Sequence, residues 1–223
     1  MRRPAHGFTL VELLVGLALG LLVVAAGTLL LAQQLREQRA LLVEARLMQD
    51  LRTAADLVAR DLRRAGHWGD AGAGVWSAAA APRANPYAAL APAAAASNAA
   101  SYAYSRDATE NNVLDANEQF GLRLRNGAIE LQLGAGNWQA LTDATLLTIT
   151  ALEITPVLED AIDLGALCPR PCAAGDAACP PRQNVRSLAL RIAARALSDA
   201  AVSRSLEARV RLRNDALAGA CPA

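Results

Sequence analysis

His6-Gly7-Phe8-Thr9-Leu10-Val11-Glu12 ends a short basic leader carrying Arg2 and Arg3, and opens an apolar run that reaches Leu31. From Leu13 to Leu31 only Thr28 is even mildly polar. As a helix this part of the run spans roughly 28 Å, about the thickness of a bilayer core. Glu12 is the single charge in it. A carboxylate in hydrocarbon costs on the order of 3 kcal/mol, so its presence calls for a partner. An ordinary secretory signal does not explain the stretch, because the run is too long and no A-x-A site closes it. A plain signal anchor explains the length but neither Gly7-Phe8 nor Glu12.

The helical pattern continues past the apolar run. Ala40, Val43, Leu47, Leu51, Ala54, Val58, Leu62 and Ala65 recur at spacings of three and four, which marks one apolar face. Arg46, Asp50, Asp56, Arg60 and Arg64 fall on other faces. No strong breaker interrupts the chain at Gln33-Gln34, so the pattern predicts one helix from Phe8 to Ala65, about 87 Å long. Gly66 is a suitable terminator.

GFTLVE followed by an apolar helix closely resembles the class III signal of type IV prepilins and pseudopilins. The resemblance implies cleavage between Gly7 and Phe8 by prepilin peptidase and N-methylation of Phe8. It also gives Glu12 a role in assembly, as the carboxylate at the fifth mature position. Charge alone makes that role reasonable, since an α-amine and a carboxylate neutralise each other in lipid. Asp61-Leu62-Arg63-Arg64-Ala65-Gly66-His67-Trp68-Gly69 resembles the helix end of PilW-type minor pilins, with His67 intervening before the aromatic residue. The string Val210-Arg211-Leu212-Arg213-Asn214 is similar to one in the PilW and GspJ group.

The remaining chain reads as loop and sheet. Residues 70–100 are rich in Ala, Gly and Pro. They predict a loop with short helical turns at Ala78–Ala81 and Ala93–Ala96, anchored by Trp76 and Tyr87. Ser101 to Ser105 reads as a short strand. Phe120 to Leu133 is a hairpin around Asn126-Gly127, a favoured type I′ turn. That turn pairs Arg125 with Ala128, Leu124 with Ile129, Leu122 with Leu131 and Phe120 with Leu133, which the hydrophobic alternation also requires. Trp138 to Leu141 and Leu146 to Ile154 extend the sheet, and the alternation slips near Ala151, predicting a bulge. Val185 to Leu197 and a final strand through Leu206, Ala208, Val210 and Leu212 complete it. The fold class is therefore α+β: a long N-terminal helix packed on an antiparallel sheet, which is the type IV pilin architecture.

Two regions carry possible site chemistry. Asp107, Thr109, Asn111, Val113, Asp115 and Glu118 occupy positions 1, 3, 5, 7, 9 and 12 of a calcium-binding loop pattern. Asn112 stands where that pattern needs glycine, and no amphipathic helices flank it. The alternative is a polar loop whose Asp and Asn side chains make turn hydrogen bonds. Cys168, Cys172, Cys179 and Cys221 are the four cysteines of the chain. Their spacing is poor for zinc, and beyond an inner-membrane anchor the compartment is oxidising. Two disulfides are expected, one closing a small loop within 168–179 and one tying Cys221 back to it, with three pairings open.

No nucleophile elbow, HExxH, Walker or GxGxxG pattern is present, and His67 reads as a helix-end residue, so an enzyme is not expected. All 22 basic residues are Arg, the net charge is +1, and no basic-aromatic patch appears, so no nucleic-acid partner is expected. The expected organisation is a leader at 1–7, a transmembrane helix at 8–32, its amphipathic continuation at 33–66, a variable loop at 67–104 and a sheet domain with a Cys-rich loop at 105–223. The resemblance implies a minor pilin acting in type IV pilus assembly or initiation. Its partners would be other minor pilins, the major pilin and prepilin peptidase, and its location the inner membrane with the C-terminal domain in the periplasm. The alternatives are a GspJ-like pseudopilin of type II secretion and a membrane-anchored periplasmic binding module that never polymerises.

Overall fold

The computed structural model describes residues 9–75 and 82–222. Helix α1 runs without interruption from Leu10 to Leu62. It begins after Thr9, whose side chain accepts the Glu12 backbone N–H at 3.2 Å, and it stops three residues short of the expected end. Arg63 already turns, and Ala65 and Gly66 belong to the turn that follows.

Among the described residues eleven strands follow: β1 Leu90–Ala91, β2 Ala99–Ala103, β3 Gln119–Arg125, β4 Ala128–Leu133, β5 Trp138–Ala140, β6 Leu147–Leu158, β7 Ile162–Asp163, β8 Arg182–Asn184, β9 Arg186–Ala196, β10 Ser203–Arg211 and β11 Ala216–Ala218. They form three antiparallel sheets rather than one, ordered β1-β2-β3-β4-β5, β10-β9-β6 and β11-β8-β7. Sheet thus begins at Leu90, inside the segment expected to be loop, and β11 lies beyond the strand expected to be last. Ala93–Ala96 forms bends rather than a helical turn, as four alanines bury too little to hold one. Trp76 and Ala78–Ala81 lie outside the described residues.

The β3–β4 hairpin has the expected register, from Arg125↔Ala128 out to Phe120↔Leu133. Asn126 and Gly127 both take positive φ, 50° and 73°, as a type I′ turn demands. The register of β6 on β9 shifts between Ile149 and Ala151, so the bulge falls at Thr150, next to the expected position.

Leu47, Leu51, Ala55, Val58, Ala59 and Leu62 of α1 share one core with Ile149, Leu152 and Ile154 of β6, Leu188, Leu190 and Ile192 of β9, and Val210 and Leu212 at β10. Phe120, Leu122 and Ile129 bring the first sheet into the same core. Leu51, Val58 and Leu62 are fully buried, and truncating any of them to Ala costs about 2–5 kcal/mol. The apolar stripe read from the sequence is therefore what fixes the helix to the domain. By contrast every described residue from Thr9 to Leu42 is exposed, leucines and valines included. The chain is an α+β, pilin-like molecule: a folded domain on a long apolar stalk.

Candidate functional site

The stalk is the feature to which a function attaches. Its apolar stretch is long enough to cross a membrane, and none of that stretch is buried in the fold. Its first turn holds one acid, Glu12, whose position near the helix N-terminus is favoured by the helix dipole. Thr9 and Glu12 are spaced as in a capping box, a signal the sequence reading did not use. Gly7 and Phe8, the expected processing positions, lie outside the described residues.

The stalk's other end is tied to the domain by a polar cluster. Asp61 accepts hydrogen bonds from Tyr102 and from Tyr104, the latter at 3.1 Å. The Tyr104 ring stacks on Phe120 at 3.8 Å, and the Arg64 guanidinium lies 4.1 Å above the Tyr104 ring. Burial, followed by the Asp61 carboxylate, pushes Tyr104 up to about 12 and Tyr102 well above the ordinary tyrosine range. Asn214 Nδ2 donates to the Ala65 carbonyl at 3.2 Å, and Arg213 N–H to the Arg63 carbonyl at 3.1 Å. Gly66, at φ 74°, leaves room for the Arg186 guanidinium: a Cβ there would sit 2.4 Å from Arg186 Nη2. The Asp61-to-Gly66 string is thus a joint between helix and sheet.

A second anchor lies beside it. Tyr87 is fully buried and donates to Glu110 Oε1 at 2.9 Å. Glu110 also accepts from Gly69 N–H at 2.8 Å and Asn112 N–H at 2.9 Å, and Trp68 Nε1 donates to Asn112 Oδ1 at 2.8 Å. These bonds hold the Glu110 carboxyl below its usual range, against the opposing effect of burial. Tyr87 anchors its loop as expected. Glu110 was missed, because nothing in an isolated polar loop marks which carboxylate becomes its hub.

The residues of the calcium reading, 107–118, are engaged in hydrogen bonds of the loop itself. Glu118, the would-be bidentate ligand, is fully buried. Its Oε1 accepts from Arg106 N–H at 2.8 Å and its Oε2 from Asp115 N–H at 3.0 Å, the second bond completing a capping box. Asp107 accepts from Asn111 N–H, Asn111 donates through its amide to Asp115, and Asn111 Oδ1 accepts from Val113 N–H. Thr109 sits exposed in the loop. Among the described residues no three His, Cys, Asp or Glu side chains converge as a metal site. The acids and amides are spent on turn hydrogen bonds, including a left-handed Asn112 at φ 60°.

The cysteines form two disulfides, Cys172–Cys179 and Cys168–Cys221. The first closes the small loop and the second staples the C-terminal tail, with β11, onto β8 and β7.

With this geometry in place, the comparisons with known proteins are specific. The family profile described as prepilin peptidase-dependent protein B matches residues 40–212, and that of the prokaryotic N-terminal methylation motif matches residues 2–28. No curated protein and no solved structure is similar enough to the chain to be matched. The first profile covers most of the folded domain, and the second covers the leader and the start of the stalk. The chain therefore belongs to the prepilin peptidase-dependent protein B family and is a pilin-like protein bearing the prepilin methylation motif at its N-terminus.

Proposed function

We propose that the protein is a minor pilin of the PilW kind, anchored in the inner membrane with its domain in the periplasm, that takes part in type IV pilus assembly or initiation. Prepilin peptidase cleaves between Gly7 and Phe8, and Phe8 becomes the N-methylated N-terminus. Glu12 neutralises the α-amine of Phe8 in its own or a neighbouring subunit. The major pilin and other minor pilins are the partners.

One observation carries this reading. A run of exposed apolar residues from Leu10 to Leu31 holds a lone carboxylate in its first turn and is joined to a folded domain by one unbroken helix. An anchor needs the apolar run and not the carboxylate. Mass spectrometry of the mature protein from native membranes tests the processing step: a chain beginning at N-methyl-Phe8 is expected, and an intact Met1 refutes it. Glu12→Ala is expected to be processed normally yet to impair piliation. Normal piliation in that variant removes the role given to the charge.

A further inference from the structure

A groove of about 770 Å³ lies between the loop that follows α1 and the disulfide-stapled β11-β8-β7 sheet. Three arginines line it: Arg83, Arg186 and Arg213. Arg83 makes a loose, exposed pair with Asp70 at 3.4 Å. Arg186 is half-buried and donates to the Ala88 carbonyl at 2.8 Å and twice to the Asn214 carbonyl, at 3.1 and 2.7 Å. Among the described residues those bonds take three of its five donors. Arg213 is exposed. The carboxylate in the lining is Asp215, whose Oδ2 accepts from Gln183 at 2.6 Å and from Arg211 at 3.3 Å. Its Oδ1 is buried and has no hydrogen-bond partner.

The groove also contains a strand edge. Among the described residues β11 is the outer strand of its sheet, paired with β8 alone, and Ala216 and Leu217 line the groove. We propose that the groove docks an extended acidic segment of a neighbouring subunit, which adds as a strand to β11 and sets its carboxylates against Arg83, Arg186 and Arg213.

Charge selects an anion, because three guanidiniums outnumber Asp215 even when the neighbouring Asp70 is counted. The strand edge selects a peptide, because a strand edge with no partner strand among the described residues is a template for another chain. Place selects a subunit rather than the bilayer: Gly66, which lines the groove, lies in the turn that follows the end of α1 opposite the apolar run. The identity of the neighbour as a pilin-like subunit rests on the function proposed above, but the recognition chemistry does not.

The test uses the full chain in detergent micelles and two labelled, end-blocked peptides, one alternating Asp with Val and one alternating Lys with Val. Fluorescence anisotropy is expected to show the acidic peptide binding at least about tenfold tighter, with an affinity that falls as salt is raised. R213E is expected to weaken it by about tenfold, one lost charge contact of moderate strength. N-methylation of alternate peptide amides is expected to abolish it, as strand addition requires and simple charge attraction does not. Near-ultraviolet circular dichroism checks that the variant is folded, and R83E carries the same comparison if R213E is not. Equal binding of the two peptides, indifference to the folded Arg variant, or indifference to N-methylation each overturns the proposal. A failure of Phe8 processing would leave these outcomes untouched, so the two readings fail separately.

Discussion

Alkaline titration offers an unusually clean test of the joint between helix and sheet. The chain has no Lys, and all four cysteines are in disulfides. Its three tyrosines, Tyr87, Tyr102 and Tyr104, are then the only side chains that ordinarily titrate between about pH 9 and 12. All three are buried and each donates to a carboxylate, so all three are pushed upward. An unfolded tyrosine ionises near pH 10, whereas Tyr104 in the fold holds its proton to about 12. The stability contributed is therefore complete below about pH 10 and is lost as pH rises toward 12. Each tyrosine loses about 1.4 kcal/mol per pH unit in that window, so by about pH 11 the three together withdraw roughly 4 kcal/mol. That is a large part of a typical domain stability of about 5–15 kcal/mol. Tyrosinate absorbance and near-ultraviolet circular dichroism should be followed together. The expected result is a silent absorbance past pH 10, then one steep rise that coincides with loss of the dichroism. Asp61→Asn should bring the rise to lower pH, because it removes the anion facing Tyr102 and Tyr104. A gradual rise centred near pH 10 with the dichroism intact would refute the buried Asp61–Tyr cluster.

Gly66→Ala should lower stability by about 1–3 kcal/mol, through its left-handed backbone and the displaced Arg186, and a thermal melt of the full chain in micelles reads this. Loss of Cys168–Cys221, with a separation of 53, should cost about 4 kcal/mol by loop entropy. Loss of Cys172–Cys179, with a separation of 7, should cost about 2.5 kcal/mol; urea midpoints in the reverse order would count against the loop-entropy account. Glu118→Gln should destabilise by about 1–3 kcal/mol equally with and without calcium, and a calcium-dependent rise in melting temperature of the native chain would favour the metal reading instead.

What the sequence made legible follows from where the physics is local. The hairpin register could be read because Asn126-Gly127 and the alternation of Phe120, Leu122 and Leu124 impose the same pairing independently. The helix stripe could be read because burial on one sheet demands a three-four spacing from Leu47 to Leu62. Helix termination was overshot because Ala65 fits the stripe by position, yet its carbonyl is claimed by Asn214, far along the chain. The split into three sheets was hidden for the same reason, since strands as short as β7, β8 and β11 are created by long-range pairing and a disulfide rather than by propensity. The 107–118 loop admits two readings in sequence because a ligand at position 12 and a capping-box Glu are the same residue type at the same place. Only the direction of the Glu118 carboxylate, inward to Arg106 and Asp115 N–H, separates them.

The outer edge of β10 shows how the stalk constrains the domain. Arg204, in β10, donates to Glu44 at 3.1 Å, and Arg213, two residues past it, bonds the Arg63 carbonyl. Nineteen helical residues rise about 28 Å, and the nine residues of β10 extend about 30 Å, so the strand runs alongside α1 in the same direction. β10 is an edge with nine residues in unbroken register, the kind of template that invites self-pairing. Antiparallel pairing of two such edges would point their stalks in opposite directions, and one bilayer cannot receive both. Glu207, Arg209 and Arg211 stand exposed on the sheet face away from the helix, where each is engaged within its own chain: Glu207 with Arg191, Arg209 with Glu159 and Arg211 with Asp215. These pairs lie on the sheet face rather than in the plane where a further strand would bond, so it is the direction of the stalks that disfavours antiparallel self-pairing at β10.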